Sequence, residues 1–516
     1  MPSSHTPSDC ASKSADPAAL SPRVAYAPPL YYQSIIGLLK PLYRLQVWRR
    51  SHKRDNYQQE VAQRFGKSYP ARPSIDLNAD TERSIANKGI IWCHAVSLGE
   101  TNTVAPLLDA LLAEGYKIWL TNTTQTGFAR GASRFADEIA QGQMSHSYVP
   151  VDSSAVIDRF LTHVQPIAAL FVETELWANI LTKLSERNIP SILVNGRLSA
   201  SSLKSYQKIG AVSASMMKNL RLIIAQDNES AKRFRQLGAH SAQIRVAGSL
   251  KWVINTPKIV DNVMPTEPEN DDNQKGNISN QLLSRKAELA AALGVTLGVV
   301  DRPIWVAAST HSGEEDSVLA WQQQLLSHSA LANALLIIVP RHPERFDEVA
   351  EIIQNRALTM ARRSARERIN ADTQVYLADS MGELMTWYTL ADVALVGGSL
   401  VDIGGHNPVE PASVATPVLM GRYTQSCQSV VDKLAEVGAL YQPHNSFYHS
   451  ATHDSTTDDD NTLIFQQLIF WLSHLELAQL AGQAGEQMTK QQQAVLPRQL
   501  AMITSVIEQH SRTEVV

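Results

Sequence analysis

Apolar residues come in short bursts along this chain, and most bursts empty within a residue or two into Gly, Ser, Thr, Asn or a charged group. Such β-rich runs fall at 89–96, 117–121, 167–172, 191–194, 222–225 and 244–247, separated by stretches long enough for helices. A second set falls at 304–308, 334–339, 374–377, 393–396 and 417–420. A strand buried on both faces has no polar side to show, so near-continuous apolar runs alternating with helical stretches predict a parallel sheet covered by helices. Two sets predict two doubly wound α/β domains, with ligands expected beyond the carboxyl ends of the strands.

The segments outside the two sets differ in character. Residues 1–24 are rich in Ser, Pro and Ala, with no apolar core behind a basic start, and read as a disordered extension rather than a signal peptide. Residues 25–55 carry Leu30 to Arg50, aromatic and aliphatic, beside the cations Arg44, Arg49, Arg50, Lys53 and Arg54. Lys40, Pro41 and Arg44 interrupt this run too often for a bilayer span of about 20 apolar residues. It reads either as an interfacial helix resting on an anionic lipid surface or as an amphipathic helix packed on the protein's own body. The predicted organisation is an N-terminal Rossmann-like domain over 56–256, a polar linker or insertion over 257–300, and a C-terminal Rossmann-like domain over 301–516 whose last helices pack back on the first. The patch 444–462, with Asp458, Asp459 and Asp460, reads as a solvated loop.

Composition narrows the class. The chain has 516 residues, 44% hydrophobic and 19% charged, an ordinary balance for a folded protein of two or three domains. A formal net charge of -4 gives no global reason to bind nucleic acid. Cys10, Cys93 and Cys427 are odd in number and widely spaced, so neither a disulfide framework nor a Cys-x-x-Cys metal site is legible.

The chemistry-bearing residues are those that follow the predicted strands. His94-Ala-Val-Ser-Leu-Gly-Glu100 offers Ser97 as a helix cap and Glu100 at a helix N-terminus, where a carboxylate is a candidate general base. Thr121 to Gly127 is a hydroxyl-rich strand exit. Glu173 and Glu175 follow the next apolar run, and Lys251 stands just before the linker. In the second half, Ser309-Thr-His-Ser-Gly-Glu-Glu315 and Pro340-Arg-His-Pro-Glu-Arg-Phe346 follow strands, and Arg341 suits bidentate contact with a phosphate. Gly397-Gly-Ser and Gly404-Gly-His-Asn-Pro-Val-Glu-Pro411 read as a loop whose backbone comes close to a ligand, with Glu410 placed to accept from the hydroxyls of a ribose. No Gly-x-x-x-x-Gly-Lys-Ser/Thr motif suggests an ATPase.

These motifs, with Glu173-Thr-Glu-Leu-Trp177, Asn195-Gly-Arg-Leu-Ser199 and Met381-Gly-Glu-Leu384, together resemble the 3-deoxy-D-manno-octulosonic acid (Kdo) transferases of lipopolysaccharide assembly, from about Tyr31 to the C-terminal helices. The resemblance implies a GT-B glycosyltransferase, two Rossmann-like doubly wound domains facing across a cleft, with a short membrane-associated N-terminal helix. It implies transfer of Kdo from CMP-Kdo to lipid IVA at the cytoplasmic face of the inner membrane, as a peripheral or monotopic protein, with no cofactor, no metal and no nucleic-acid partner. By the same matching Glu100 is the general base, and Glu173 and Lys251 stabilise the transition state, Glu175 remaining an alternative acid. Pro340, Arg341, Met381, Gly382, Glu383, Asn407, Pro408, Val409 and Glu410 contact CMP. Ala178 departs from the family's Glu-Leu-Trp-Pro-Asn. Two other functions fit the pattern: another nucleotide-sugar transferase or epimerase of this architecture, and a nucleotide-sugar-binding protein without activity. The second would be expected to lose the base or cation positions, yet Glu100, Lys251 and Arg341 are all present.

Overall fold

The structure, a computed structural model, describes residues 24–54, 56–73, 88–254, 302–443 and 459–514. The expected N-terminal extension, the polar linker and most of the 444–462 patch lie outside these residues. Two compact units emerge: one runs to Ser249 and includes the chain from Pro497 onward, the other is Leu250–Leu496. The division therefore falls a few residues before the sequence-based boundary at 256 and places Lys251 in the second unit.

The first unit is built on seven strands, β1 (Ile90–His94), β2 (Lys117–Asn122), β3 (Met144–Tyr148), β4 (Ala168–Val172), β5 (Ser191–Gly196), β6 (Leu222–Ala225) and β7 (Ile244–Val246). They pair in the order β3-β2-β1-β4-β5-β6-β7, every pair parallel. β1 is central, with Ile91 opposite Ile118 on one side and Ala168 on the other. Its Trp92 is fully buried against Phe160 and Phe171, and the indole N–H donates to the Thr121 hydroxyl at 2.9 Å, so the one polar atom of a core tryptophan is satisfied.

The second unit repeats the plan with β8 (Ile304–Thr310), β9 (Leu335–Pro340), β10 (Met360–Arg362), β11 (Val375–Leu377), β12 (Val393–Val396), β13 (Val418–Leu419) and β14 (Leu440–Tyr441), ordered β10-β11-β9-β8-β12-β13-β14 and again wholly parallel. Along β8, Trp305 and Ala307 pack into one apolar cluster while Ile304, Val306 and Ala308 pack into another. Both faces are covered, as the unbroken apolar run predicts. In each sheet the strand order reverses beside the central strand, between β1 and β4 and between β8 and β12. Such reversals splay the following loops apart and open a crevice at the carboxyl edge. The segments beginning at His94, Glu173, Ser309, Pro340 and Gly397 stand at the ends of strands at or beside these two points, whereas Lys251 follows the edge strand β7 and Met381 follows β11.

Three strands escaped the sequence reading. β3 (Met-Ser-His-Ser-Tyr) is buried along its length although three of its residues are polar, because Ser147 accepts from the Trp119 indole at 3.0 Å and His146 bonds Asn122 at 2.7 Å. β10 and β14 are outer strands of two or three residues, too short to show a period.

Helix α1 (Leu30–Ser51) realises the segment expected over 25–55. Its polar contacts tie one side down: the Tyr32 hydroxyl donates to Asp152 at 2.7 Å and Arg50 pairs with buried Glu60 of helix α2 (Tyr57–Arg64) at 2.8 Å. Tyr31, Ile35, Leu38, Leu42 and Leu45, spaced four and three apart, form a stripe that stays exposed. No helix among the described residues is long and apolar enough to cross a membrane.

Candidate functional site

Glu100 sits in the first turn of helix α3 (Leu98–Ala113), directly beyond β1. Ser97 caps that helix, its hydroxyl accepting from the Glu100 N–H at 3.4 Å, while the Glu100 carboxylate reaches back to accept from the Val96 N–H at 2.8 Å. This reciprocal Ser-x-x-Glu arrangement fixes the carboxylate at the strand exit. The hydroxyl-rich segment after β2 braces the same loop: the Thr123 and Thr124 N–H groups both donate to the Val96 carbonyl, at 3.1 and 2.9 Å. Burial raises the Glu100 carboxyl to about 7, and the neighbouring charges of Glu173 and Glu175 push the same way. The Val96 N–H and the Ser97 hydroxyl only partly oppose them. A carboxylate tuned to near neutrality is what general-base work at pH 7 requires. His94 at the end of β1 is, by contrast, a structural group: it is buried, bonded to Thr121 at 3.0 Å, and held neutral by desolvation down to about 4.

Glu173 follows β4 with φ of +58°, in the left-handed region that side chains other than glycine seldom occupy. A backbone held there costs of order 1 kcal/mol, and it is shared with residues such as Gln165 and Ala357 outside the candidate motifs, so it does not separate Glu173 from Glu175. Glu175 lies beyond the strand, its carboxyl raised by burial. Ala178 opens the helix Ala178–Glu186, and proline suits that first helical position because its missing N–H has no partner there anyway. Alanine, the best helix former, replaces it at little cost.

In the second unit, Pro340 ends β9 and Arg341 follows, its N–H donating to the Thr310 carbonyl at 3.0 Å. Met381 and Gly382 form an exposed turn beyond β11, and Gly382 adopts φ of +87°. Glu383 is already engaged, bonded by Arg363 at 2.6 and 3.1 Å and by the Ser380 hydroxyl, and these partners hold its carboxyl below the usual range. The Asn407 amide donates to the Lys251 carbonyl at 3.0 Å and accepts from Val409, while the Lys251 ammonium donates to the Ser426 carbonyl at 2.6 Å. Pro408 and the buried Val409 begin the short helix carrying Glu410, whose carboxyl burial lifts to about 7 against the opposing charge of Arg341. The structure thus gathers Lys251, Arg341 and Asn407 to Glu410 in one unit, whereas Glu100 and Glu173 belong to the other.

Sequence reasoning missed what holds the glycine-rich loop. Buried Glu314 accepts from the N–H groups of Gly398, Ser399 and Leu400 at 2.8, 3.1 and 2.9 Å, and from His311 at 2.9 Å. A Cβ at Gly397 would stand 2.4 Å from the Ser309 carbonyl, so this glycine answers to the neighbouring strand exit and not to a ligand. Glu314 was visible in the Ser309 to Glu315 motif, but its three partners in the glycine-rich loop lie 84 to 86 residues away and periodicity cannot pair them.

Comparison with known proteins decides among the readings. A family profile described as 3-deoxy-D-manno-octulosonic-acid transferase matches residues 59–254. The 3-deoxy-D-manno-octulosonic acid transferase of Haemophilus influenzae is 36% identical over 418 residues, covering 81% of this chain and 87% of the relative. The chain belongs to the Kdo transferase family. A second such transferase, from Bordetella pertussis, is 33% identical over 409 residues, 78% of this chain and 86% of its own. The chain is accordingly a glycosyltransferase of lipopolysaccharide biosynthesis, and its two doubly wound sheets match the GT-B class expected of a Kdo transferase. Among solved structures, the C-terminal CMP-Kdo binding domain of WaaA from Acinetobacter baumannii matches at 35% identity, covering 42% of this chain and 97% of that domain, with a TM-score of 0.32. A UDP-GlcNAc 2-epimerase from Neisseria meningitidis matches at 12% identity over 77% of this chain and 94% of its own, with a TM-score of 0.43.

The tuned carboxyl yields a pH prediction. If Glu100 must be ionised to act, the transfer rate rises about tenfold per pH unit below about 7 and levels off above it. A profile of initial rates between pH 5 and 9 reads this; a flat profile across pH 6 to 8 contradicts it.

Proposed function

We propose that this Kdo transferase moves Kdo from CMP-Kdo to lipid IVA by a metal-independent inverting displacement, with Glu100 as general base. The observation that carries the reading is the Glu100 carboxyl, locked at the exit of β1 beside the reversal point of its sheet and tuned to about 7. It takes the proton from the attacking acceptor hydroxyl as positive charge develops at the anomeric carbon. Lys251 and Arg341 offset the charge of the departing phosphate and of the sugar's own carboxylate. Glu173 stabilises the cationic centre. Asn407 to Glu410, with Pro340, Arg341 and Met381 to Glu383, hold CMP, and Glu410 binds the ribose hydroxyls as acceptor or, protonated, as donor. The Arg363–Glu383 pair leaves Glu383 ionised and fixed, with one acceptor position on Oε1 for the nucleotide.

Calorimetry with CMP and UDP distinguishes this from the other nucleotide-sugar functions of the architecture. Binding of CMP at least tenfold tighter than UDP supports the donor assignment; preference for UDP overturns it.

The same reading includes attachment to the cytoplasmic face of the inner membrane through α1. The exposed stripe Tyr31, Ile35, Leu38, Leu42 and Leu45 lies among Lys40, Arg44, Arg49 and Arg50, the pairing that anionic lipid attracts. Replacing Leu38, Leu42 and Leu45 by Ser is expected to cut co-sedimentation with phosphatidylglycerol vesicles by more than tenfold without changing thermal stability, since these side chains are already exposed. Undiminished co-sedimentation removes α1 from the membrane contact.

A further inference from the structure

A pair of histidines beside Arg341 has no part in the mechanism so far. His311 follows β8 and His406 lies in the glycine-rich loop after β12, the two strands that flank the reversal point of the second sheet. Their rings are parallel, with centroids 5.1 Å apart, and the two Nε2 atoms stand 2.8 Å from each other. Both rings are half-buried, and His342 packs edge-on against His311 at 5.2 Å.

Two imidazole nitrogens at that distance form a hydrogen bond only when one carries a proton and the other a lone pair. The bond accounts for one nitrogen of each ring. Among the described residues neither Nδ1 has a hydrogen-bond partner, so the Nδ1 atoms are left for a ligand or for solvent. The pair can therefore accept one further proton without breaking the Nε2–H···Nε2 bond, whereas a second would place two N–H groups face to face. It is a site for a single proton, fixed by geometry.

We propose that the His311–His406 pair is a proton-loading contact for the anionic group of the nucleotide, taking up one proton from solvent at a ring nitrogen as the phosphate binds and so presenting an imidazolium to it. This rests on the donor-site reading above and extends it. The charges around the pair set the sign. Burial first, then the charges of Arg341 and His342 on the segment after β9, joined at His311 by Arg345, keep His311 below its usual range and His406 down to about 4, so the empty pair is neutral at pH 7. On its own loop the Glu314 carboxylate is spent on four backbone N–H groups, and from the loop after β12 Glu410 faces Arg341. Arg345 is paired with Glu315 and Glu348. On the remaining side Cys427 contributes a thiol to the His406 carbonyl at 3.3 Å. A phosphate arriving at Arg341 leaves the burial in place but neutralises the cations that disfavour protonation and adds negative charge of its own, which opposes the cost of burial. The pair then gains a proton, and by linkage CMP binds more tightly as the pH falls towards the range in which the occupied pair titrates.

The test is calorimetry of CMP binding to the full chain at pH 7 in buffers of differing ionisation enthalpy. The double variant His311→Gln/His406→Gln is expected to take up fewer protons per CMP than the wild type by roughly half to one, while His342→Gln keeps the wild-type uptake; Glu410 beside Arg341 contributes equally to all three. CMP's own second ionisation near pH 6 acts in the opposite sense, since a phosphate bound as the dianion releases protons. Should the double variant fold poorly, nitrogen NMR of histidine-labelled wild type reads the same event: addition of CMP brings both nitrogen signals of one ring of the pair to imidazolium values while the other ring stays neutral. CMP binding with the same proton uptake in the double variant as in the wild type, or with ring signals unmoved, overturns the pair's role and leaves the donor site standing. Loss of uptake in His342→Gln reassigns the proton and overturns it too. Failure of CMP to bind at all removes the donor-site reading and this inference with it.

Discussion

Glu100→Gln is expected to lower the transfer rate by 10²- to 10⁴-fold while leaving CMP binding unchanged and raising the thermal midpoint at pH 8. The rate loss follows from removing a positioned base. The gain in stability follows from the carboxyl's tuning. Burial raises the folded-state value to about 7, well above that of an unfolded glutamate, so the folded protein keeps a proton that the unfolded chain has already released. Between about pH 4.3 and 7 the folded state binds more protons, and stability falls as pH rises through that window. Glutamine, which retains an oxygen for the Val96 N–H, never ionises. The variant should therefore match the wild type near pH 4 and exceed it at pH 8 by about 1 to 2 kcal/mol, the full shift being reduced by solvent screening at a half-buried group. For a unit of this size that is a rise of about 2 to 8 °C. Scanning calorimetry at the two pH values, beside rate measurement, checks both halves. A variant that is inactive and also less stable at pH 8 would point to a structural carboxylate rather than a strained functional one.

Arg341→Ala carries the second large effect. Loss of one charge-assisted hydrogen bond to phosphate costs about 1.5 to 3 kcal/mol, a weakening of CMP binding of roughly 10- to 150-fold. Arg341 leads into a loop whose backbone is fixed independently through Thr310, so the substitution should remove the charge without moving the strand exit. Arg341→Lys should recover only part of the affinity, since an ammonium cannot reproduce the planar fork of guanidinium. The alanine variant also removes the cation that opposes protonation of Glu410, so that carboxyl should titrate higher still. Unchanged CMP affinity in Arg341→Ala would move the phosphate away from β9.

The two sheets were legible because fully buried parallel strands must be apolar throughout, and β1, β4, β8, β9 and β12 announce themselves as such runs. β3 did not, since its Ser147 and His146 are buried by virtue of bonds to Trp119 and Asn122 that only the folded chain supplies. Glu100, Glu173 and Arg341 were legible for a related reason: a polar residue directly after a buried strand lies at the carboxyl edge whatever the rest of the chain does. What the sequence could not show are pairings across long separations. The clasp of Glu314 on the loop beginning at Gly398, the Arg363 partner of Glu383 and the facing imidazoles of His311 and His406 are matters of tertiary distance, as is the seat of Lys251 against Ser426, 175 residues away. The glycine pairs also changed meaning. Gly397 avoids the Ser309 carbonyl, while Gly398, Gly404 and Gly405 sit at positive φ and set the turn that delivers His406 and Asn407.

Mass spectrometry of lipid IVA incubated with CMP-Kdo and the purified protein tests the central claim most directly. Wild-type protein is expected to yield lipid IVA heavier by one or more whole Kdo units, and Glu100→Gln to leave lipid IVA unmodified under the same conditions. Unmodified lipid IVA with the wild type, or Kdo addition by Glu100→Gln at an undiminished rate, would contradict it.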